Sequence, residues 1–164
     1  MRGARERQGI HDNMIRKDFW KNSSLEELSD EEWESLCDGC AVCCLYKVED
    51  SKTGRIRETG VTCRYLDVNT CRCSIYARRT VVNPHCIRFD RNDLHIPKWL
   101  PHTCAYRTLA EGRALQWWHP LLSGDPGTVH EAGISIRGRV ISGACVHPEE
   151  IAWGLNIQKE KDPV

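Results

Sequence analysis

Four cysteines crowd eight positions in Cys37-Asp38-Gly39-Cys40-Ala41-Val42-Cys43-Cys44. Five more follow at Cys63, Cys71, Cys73, Cys86 and Cys104, and only Cys145 of the ten lies outside this stretch. Thiolate is a soft, strong ligand for Zn(II), Cu(I) and iron–sulfur centres. Cysteines serving only as small core hydrophobes would be scattered at the period of their helix or strand. Two local geometries aim the first four thiols at one centre. A helix continued through Cys44 puts all four within an arc of about 120°. A knuckle-like turn, favoured by Gly39, lets sulfurs two residues apart approach one ion while backbone amides point at them. Zinc takes four thiolates at about 2.3 Å in a tetrahedron. C-x2-C-x2-C also grips a cubane iron–sulfur cluster, with a fourth cysteine from elsewhere. The spacing therefore signals metal and leaves zinc and iron open.

The second group is Cys63, Cys71, Cys73 and Cys86, with Cys104 beyond. C-x-C serves two adjacent ions, or a bridge, more readily than one ion. Nine cysteines exceed the eight of two four-ligand sites. Two sites, one multinuclear site, and one site with spare thiols all stay open. His85 beside Cys86 and His102 near Cys104 are further candidates, although a surface role suits each better. Tyr76, Arg78 and Arg79 follow the C-x-C, where an arginine can offset thiolate charge or donate hydrogen bonds to sulfur.

The elements that would position these groups are short. Residues 1–22 are polar and read as a mobile arm. From Ser23, Leu25, Leu28, Trp33 and Leu36 fall on one side of a helical pattern, with a capping box at Ser29 and Glu32. A hairpin is expected with arms Val48 to Asp50 and Arg55 to Glu58 around Thr53-Gly54. Residues 63–104 are irregular and broken by Asn83-Pro84, Ile96-Pro97 and Leu100-Pro101. A helix from Thr103 to Glu111 has Thr103 as its cap and Gly112 as its stop. Trp117 to Leu122 is an apolar knot, read as core. Thr128 to Ile141 suggests a hairpin around Gly138, and Pro148 opens a last short helix. The fold expected is α+β, a small irregular domain over residues 23–157 stapled by metal, with a tail at 158–164.

The composition narrows the functional classes. The chain has 164 residues, with 23 Lys+Arg against 23 Asp+Glu. Zero net charge removes the average electrostatic drive toward nucleic acid or an anionic membrane. No stretch approaches the roughly 18 apolar residues of a membrane span. The N-terminal residues lack an apolar signal core, so a reducing cytoplasm is expected, where clustered cysteines act as ligands or redox groups. No phosphate-binding loop, dinucleotide fingerprint or nucleophile elbow is present, and no nucleophile is paired with a base.

The runs C-D-G-C-A-V-C-C at 37–44, C-R-Y-L at 63–66, C-R-C-S-I-Y-A-R-R at 71–79 and C-I-R-F at 86–89 resemble the bacterial cysteine-cluster (CxxCxxCC) family, named for zinc or iron chelation. W-E-S-L-C-D-G-C at 33–40, T-C-A-Y-R-T-L-A-E-G at 103–112 and W-H-P-L-L-S-G at 118–124 are similar to its YcgN-like branch. The resemblance spans residues 20 to 155. It implies that Cys37, Cys40, Cys43, Cys44, Cys63, Cys71, Cys73, Cys86 and Cys104 are the metal-binding candidates, with a metal ion as partner. The wider family has R-P-x-x-C after the tyrosine, whereas here Arg79-Thr80 and a longer spacer precede Cys86. Cys145 falls outside the pattern and reads as a buried or incidental thiol. The functional expectation is a protein that chelates zinc or iron, the iron in one form as an iron–sulfur cluster. An iron-dependent enzyme and a thiol redox switch are the alternatives.

Overall fold

The computed structural model describes residues 15–91 and 96–152. Its secondary structure comes in pieces of two to seven residues, as the prolines and glycines dictate. Helix α1 (Phe19–Asn22) lies inside the stretch expected to be a mobile arm, yet Phe19 is fully buried. A 3-10 turn at Leu25–Glu27 leads into α2 (Asp30–Ser35). Ser29 caps α2 through the expected box. Its hydroxyl accepts from Glu32 N at 3.2 Å, and the Glu32 carboxylate accepts from Ser29 N at 3.0 Å. The same carboxylate receives Arg16 Nε and Nη2, each at 2.7 Å. One buried carboxylate thus closes a helix and fastens the preceding chain to it.

Strands β1 (Leu45–Glu49) and β2 (Ile56–Thr62) form the expected hairpin, with longer arms than predicted. Asp50 Oδ1 accepts from Lys52 N and Thr53 N at the turn, and Gly54 adopts the left-handed conformation the turn needs. Leu45 pairs with Thr62, and an irregularity between Leu45 and Lys47 bends the strand where it meets the cysteine loop. Two-residue strands β3 (Leu66–Asp67) and β4 (Arg72–Cys73) make a second antiparallel pair. Helix α3 (Arg79–Val82) follows.

The C-terminal half differs from expectation in two places. Helix α4 (Ala105–Ala110) has Cys104 rather than Thr103 at its N-cap position, with no side-chain capping bond, and Gly112 ends the turn beyond it. Helices α5 (Pro120–Ser123) and α6 (Thr128–Glu131) follow. No hairpin forms around Gly138. The 128–131 stretch is helical, and Arg139 folds back onto the carbonyls of Ile134 and Ser135. Only β5 (Ile141–Ser142) is extended, and it pairs parallel with the end of β2. Gly143 packs against Thr62, where an added Cβ would stand 2.4 Å from the Thr62 carbonyl oxygen. Helix α7 (Pro148–Ala152) begins at Pro148 as expected. The expected tail at 158–164 and residues 1–14 lie outside the described residues. Small mixed sheets with short helices make this an α+β fold.

Burial concentrates in three clusters rather than one. Phe19, Leu28, Trp33, Leu36, Ala105, Tyr106 and Leu115 pack the helices together. Ala41, Leu45, Leu66, Cys71 and Ile136 fill the space beneath the small sheets. Cys40, Trp118 and Val129 form the third. Trp118 is core as expected, while its neighbour Trp117 is 68% exposed.

Glu32 carries a stability prediction. Its carboxyl is held down to about 2, against an ordinary 4.5, chiefly by the hydrogen bonds from Arg16. Its contribution is complete above pH 4.5 and is lost as pH falls from there through about 2. Glu32→Ala should cost about 2–3 kcal/mol in urea unfolding at neutral pH. Glu32→Gln should flatten the stability profile across that acid window, and an unchanged profile would refute the assignment.

Candidate metal centre

The Cys37–Cys44 segment is a knuckle-like loop, not a helix. Gly39 and Ala41 both take left-handed backbone conformations, with φ of 75° and 60°. A 3-10 turn at Val42–Cys44 completes the reversal into β1. The loop is tied at two carbonyls. His119 Nε2 donates to the Leu36 oxygen at 3.0 Å, just before Cys37. Ile136 N donates to the Cys40 oxygen at 3.0 Å. His119 is itself fully buried and accepts from Leu121 N on Nδ1, so both ring nitrogens are used and the ring is neutral. Burial pushes its pKa down accordingly.

This loop, the end of β2, β4 and the turn after α3 surround one cavity of about 520 Å³. Six of the nine clustered cysteines line it: Cys37, Cys43, Cys44, Cys63, Cys73 and Cys86. The backbone explains the gathering. Cys63 N donates to the Cys44 carbonyl at 2.8 Å, which sets the end of β2 beside the first group. Leu66 pairs with Cys73, so that cysteine follows the same wall. Asn83 accepts Cys86 N at 2.9 Å on its carbonyl and sends its side-chain amide toward Cys63 Sγ at 3.7 Å. The longer spacer before Cys86 therefore still delivers that cysteine to the cavity.

The other three candidates sit differently. Cys40 is packed against Trp118 and Val129 in a core cluster. Cys71 is buried under the sheets, with φ of 55°. Cys104 precedes α4 at its N-cap position, at the edge of the helical core. Cys145, expected to be buried or incidental, is exposed. His85 lines the cavity, whereas His102 is exposed on the surface. All ten cysteines are free thiols. Among the described residues no three Cys, His, Asp or Glu side chains already stand in metal-holding geometry. The cavity gathers the sulfurs without yet converging them.

The electrostatics follow from desolvation. Cys37 lines the cavity and keeps accessible surface. Burial, then the Asp38 carboxylate, pushes its thiol up to about 12. Cys40 is raised well above its ordinary range by the same two causes. Cys43 is raised by its hydrogen bond with Cys44 and by burial. Burial lifts Cys104 to about 11 and also raises Cys71 and Cys86. Opposing this, the backbone N–H groups of Gly39 and Val42 favour the thiolates of Cys37 and Cys40. That is the amide arrangement a metal knuckle uses. Buried thiols hold protons until a cation replaces them, and the amides are aimed for the thiolate state. The chemistry of this donor set fits a thiophilic ion.

Two cations and several rings complete the walls. Lys47 Nζ lies 4.5 Å from the Trp99 ring and donates to the carbonyls of Val42 and Leu45. Arg79 stacks on the Tyr76 ring at 3.9 Å and favours the Cys86 thiolate. The Tyr76 hydroxyl donates to the Glu34 carboxylate, linking α2 to the C-x-C wall. Trp33, Phe89 and Tyr106 also line the cavity, and the Tyr106 hydroxyl donates to the Trp33 carbonyl at 2.9 Å. Of these, Tyr76 and Arg79 were legible from the sequence, whereas Arg78 is exposed. Lys47, Asn83 and Trp99 were not legible. Lys47 stands three residues after Cys44, and nothing in its spacing marks it.

Residues 36–105 match a family model, CxxCxxCC, described as "Putative zinc- or iron-chelating domain". The chain is 57% identical over 122 residues to a UPF0260 protein of Rhodopseudomonas palustris strain BisB18, covering 74% of this chain and 72% of that one. It is 48% identical over 149 residues to a UPF0260 protein of Rhizobium etli strain CIAT 652, covering 88% and 94%. It is 48% identical over 147 residues to one of Sinorhizobium fredii, covering 87% and 95%. No solved structure matches the chain. Among the described residues no helix is long and apolar enough to cross a membrane.

The thiol environments predict an order of reactivity. In reduced, metal-free protein at about pH 8, iodoacetamide should label exposed Cys145 roughly tenfold or more faster than Cys40 and Cys43. Peptide mapping by mass spectrometry reads the order. Labelling of Cys40 or Cys43 first would mean that these thiols are not desolvated as described.

Proposed function

We propose, for a chain that belongs to the UPF0260 family, that it is a metal-binding protein holding zinc or iron through the thiolates of its cysteine cluster. The observation that supports this most directly is the gathering of six cysteines on one cavity. A tetrahedral ion uses four thiolates. Six sulfurs on a wall enclosing about 520 Å³ favour a centre of more than one ion, or an iron–sulfur cluster, over a single closed zinc site. Cys37, Cys43, Cys44, Cys63, Cys73 and Cys86 are the ligands this reading uses first. Cys40, Cys71 and Cys104 are the reserve, reached through their neighbours in the loop, in β4 and at the start of α4.

In this reading the metal supplies a positive charge that makes thiolates stable out of water. The chain's own residues do the rest. The amides of Gly39 and Val42 stabilise thiolate charge, Asn83 donates toward Cys63, and Lys47 and Arg79 balance what negative charge is left. The rings of Trp33, Phe89 and Tyr106 restrict water on one side. The proposed location is the cytoplasm, where thiols stay reduced.

Anaerobic purification without added metal, followed by metal and sulfide analysis and an absorbance spectrum, tests the proposal. The expected result is more than one zinc or iron per chain, with broad absorbance near roughly 400 nm if iron and sulfide are present. One zinc per chain without colour would refute the multi-ion form. Absence of metal, with reversible disulfides under mild oxidant, would favour the redox switch, for which Cys43 and Cys44 are adjacent. Chelation should lower the melting temperature by about 5 °C or more, since metal binding and folding share one free energy.

A further inference from the structure

A second cavity of about 440 Å³ shares Tyr46 and Lys47 with the thiol cavity, but no cysteine lines it. Its size falls in the range of small-molecule sites, which are mostly apolar with a few polar groups that fix orientation. The chain around β5 builds it. β5 pairs with the end of β2, and Gly143 then packs against Thr62 and the Tyr46 ring. An added Cβ there would stand 2.9 Å from Tyr46 Cε2, so a bare backbone is what lets this segment close on β1. The chain from Gly143 into α7 supplies Ala144, Val146 and Ile151 to the wall, and β1 adds Val48.

The charge on this wall has one sign. Arg64 and Lys47 line the cavity, and none of its lining residues is Asp or Glu. Lys47 Nζ is committed to the carbonyls of Val42 and Leu45, at 3.3 and 3.0 Å. Arg64 is exposed, lies 5.9 Å from the Tyr65 ring and makes no ion pair among the described residues. A guanidinium presents a planar fork of donors that matches a carboxylate. We propose that this cavity binds a small aliphatic carboxylate, with its charged end on Arg64 and its tail against Val48, Val146 and Ile151. A bare inorganic anion would leave the apolar wall unused, and a neutral apolar molecule would leave the guanidinium unused. The site is separate from the metal reading but borders on it. Lys47 holds the carbonyls on either side of Cys43-Cys44, so a ligand seated against β1 rests on the residue that steadies those thiols.

Titration of the full chain with butyrate, hexanoate and octanoate, followed by amide proton–nitrogen NMR, tests this. Shifts are expected at Gly143, Ala144, Val146 and the Tyr46–Val48 amides. Affinity should rise about threefold for each added methylene. Hexanamide should bind roughly tenfold or more weakly than hexanoate, and Arg64→Gln should remove that preference while leaving hexanamide unchanged. Absence of shifts around the cavity at millimolar octanoate overturns the inference. So does equal binding of hexanoate and hexanamide, or inorganic phosphate binding as tightly as octanoate. Should Arg64→Gln fail to fold, the wild-type comparison decides: preference for the carboxylate sustains the inference and equal affinity refutes it. Metal content enters none of these outcomes, so this inference and the metal reading stand or fall separately.

Discussion

Sulfur brought out of water by sulfur is the constraint from which the rest of this molecule follows. Six thiols share one cavity, so they cannot all ionise together in a desolvated space. In the absence of a cation the protein keeps protons on Cys37, Cys40 and Cys43. Yet backbone amides, an ammonium and a guanidinium are arranged as though the thiols were anions. Those two facts are consistent if the loop is built for a charged state that a bound cation completes.

The architecture shows how such a loop is held without long helices or a large sheet. Residues 36–44 are fixed at carbonyls by His119 and Ile136, not by a regular element. Those anchors come from residues far along the chain, and they sit on apolar packing around Trp118, Val129 and Ile136. The aromatic wall is tied in turn by Tyr106 to Trp33 and by Tyr76 to Glu34. The helical cluster lends Trp33 and Tyr106 to the cavity wall and the cluster beneath the sheets lends Leu45 and Leu66, while the third holds the loop through Cys40.

Local signals were legible where they were dense. The Ser29–Glu32 box, the hairpin turn at Asp50–Gly54 and the stop at Gly112 announce themselves because each depends on two or three adjacent residues. The cysteine spacing marked, for the same reason, a segment whose thiols line the cavity. The expected hairpin around Gly138 failed because weak alternation across 128–141 was overruled by a short helix and by Arg139 folding back on its own loop. Thr103 lost the capping position to Cys104 by one residue, which is within the drift of any helix end. The division of the cysteines into six on the cavity and three in or near the core was not readable, because it depends on which distant segments meet.

The walls of the cavity are drawn from residues scattered between Trp33 and Tyr106. This spread has a consequence for the chain as it is made. The first thiol, Cys37, leaves the ribosome about seventy residues before Tyr106. At about 5–20 residues per second, several seconds pass in which the early cysteines have no enclosing wall. During that interval they are open to oxidants and to any soft metal at hand. The cavity is complete only once its last segment arrives, so until then the thiols of the nascent chain depend on the reducing capacity of their surroundings.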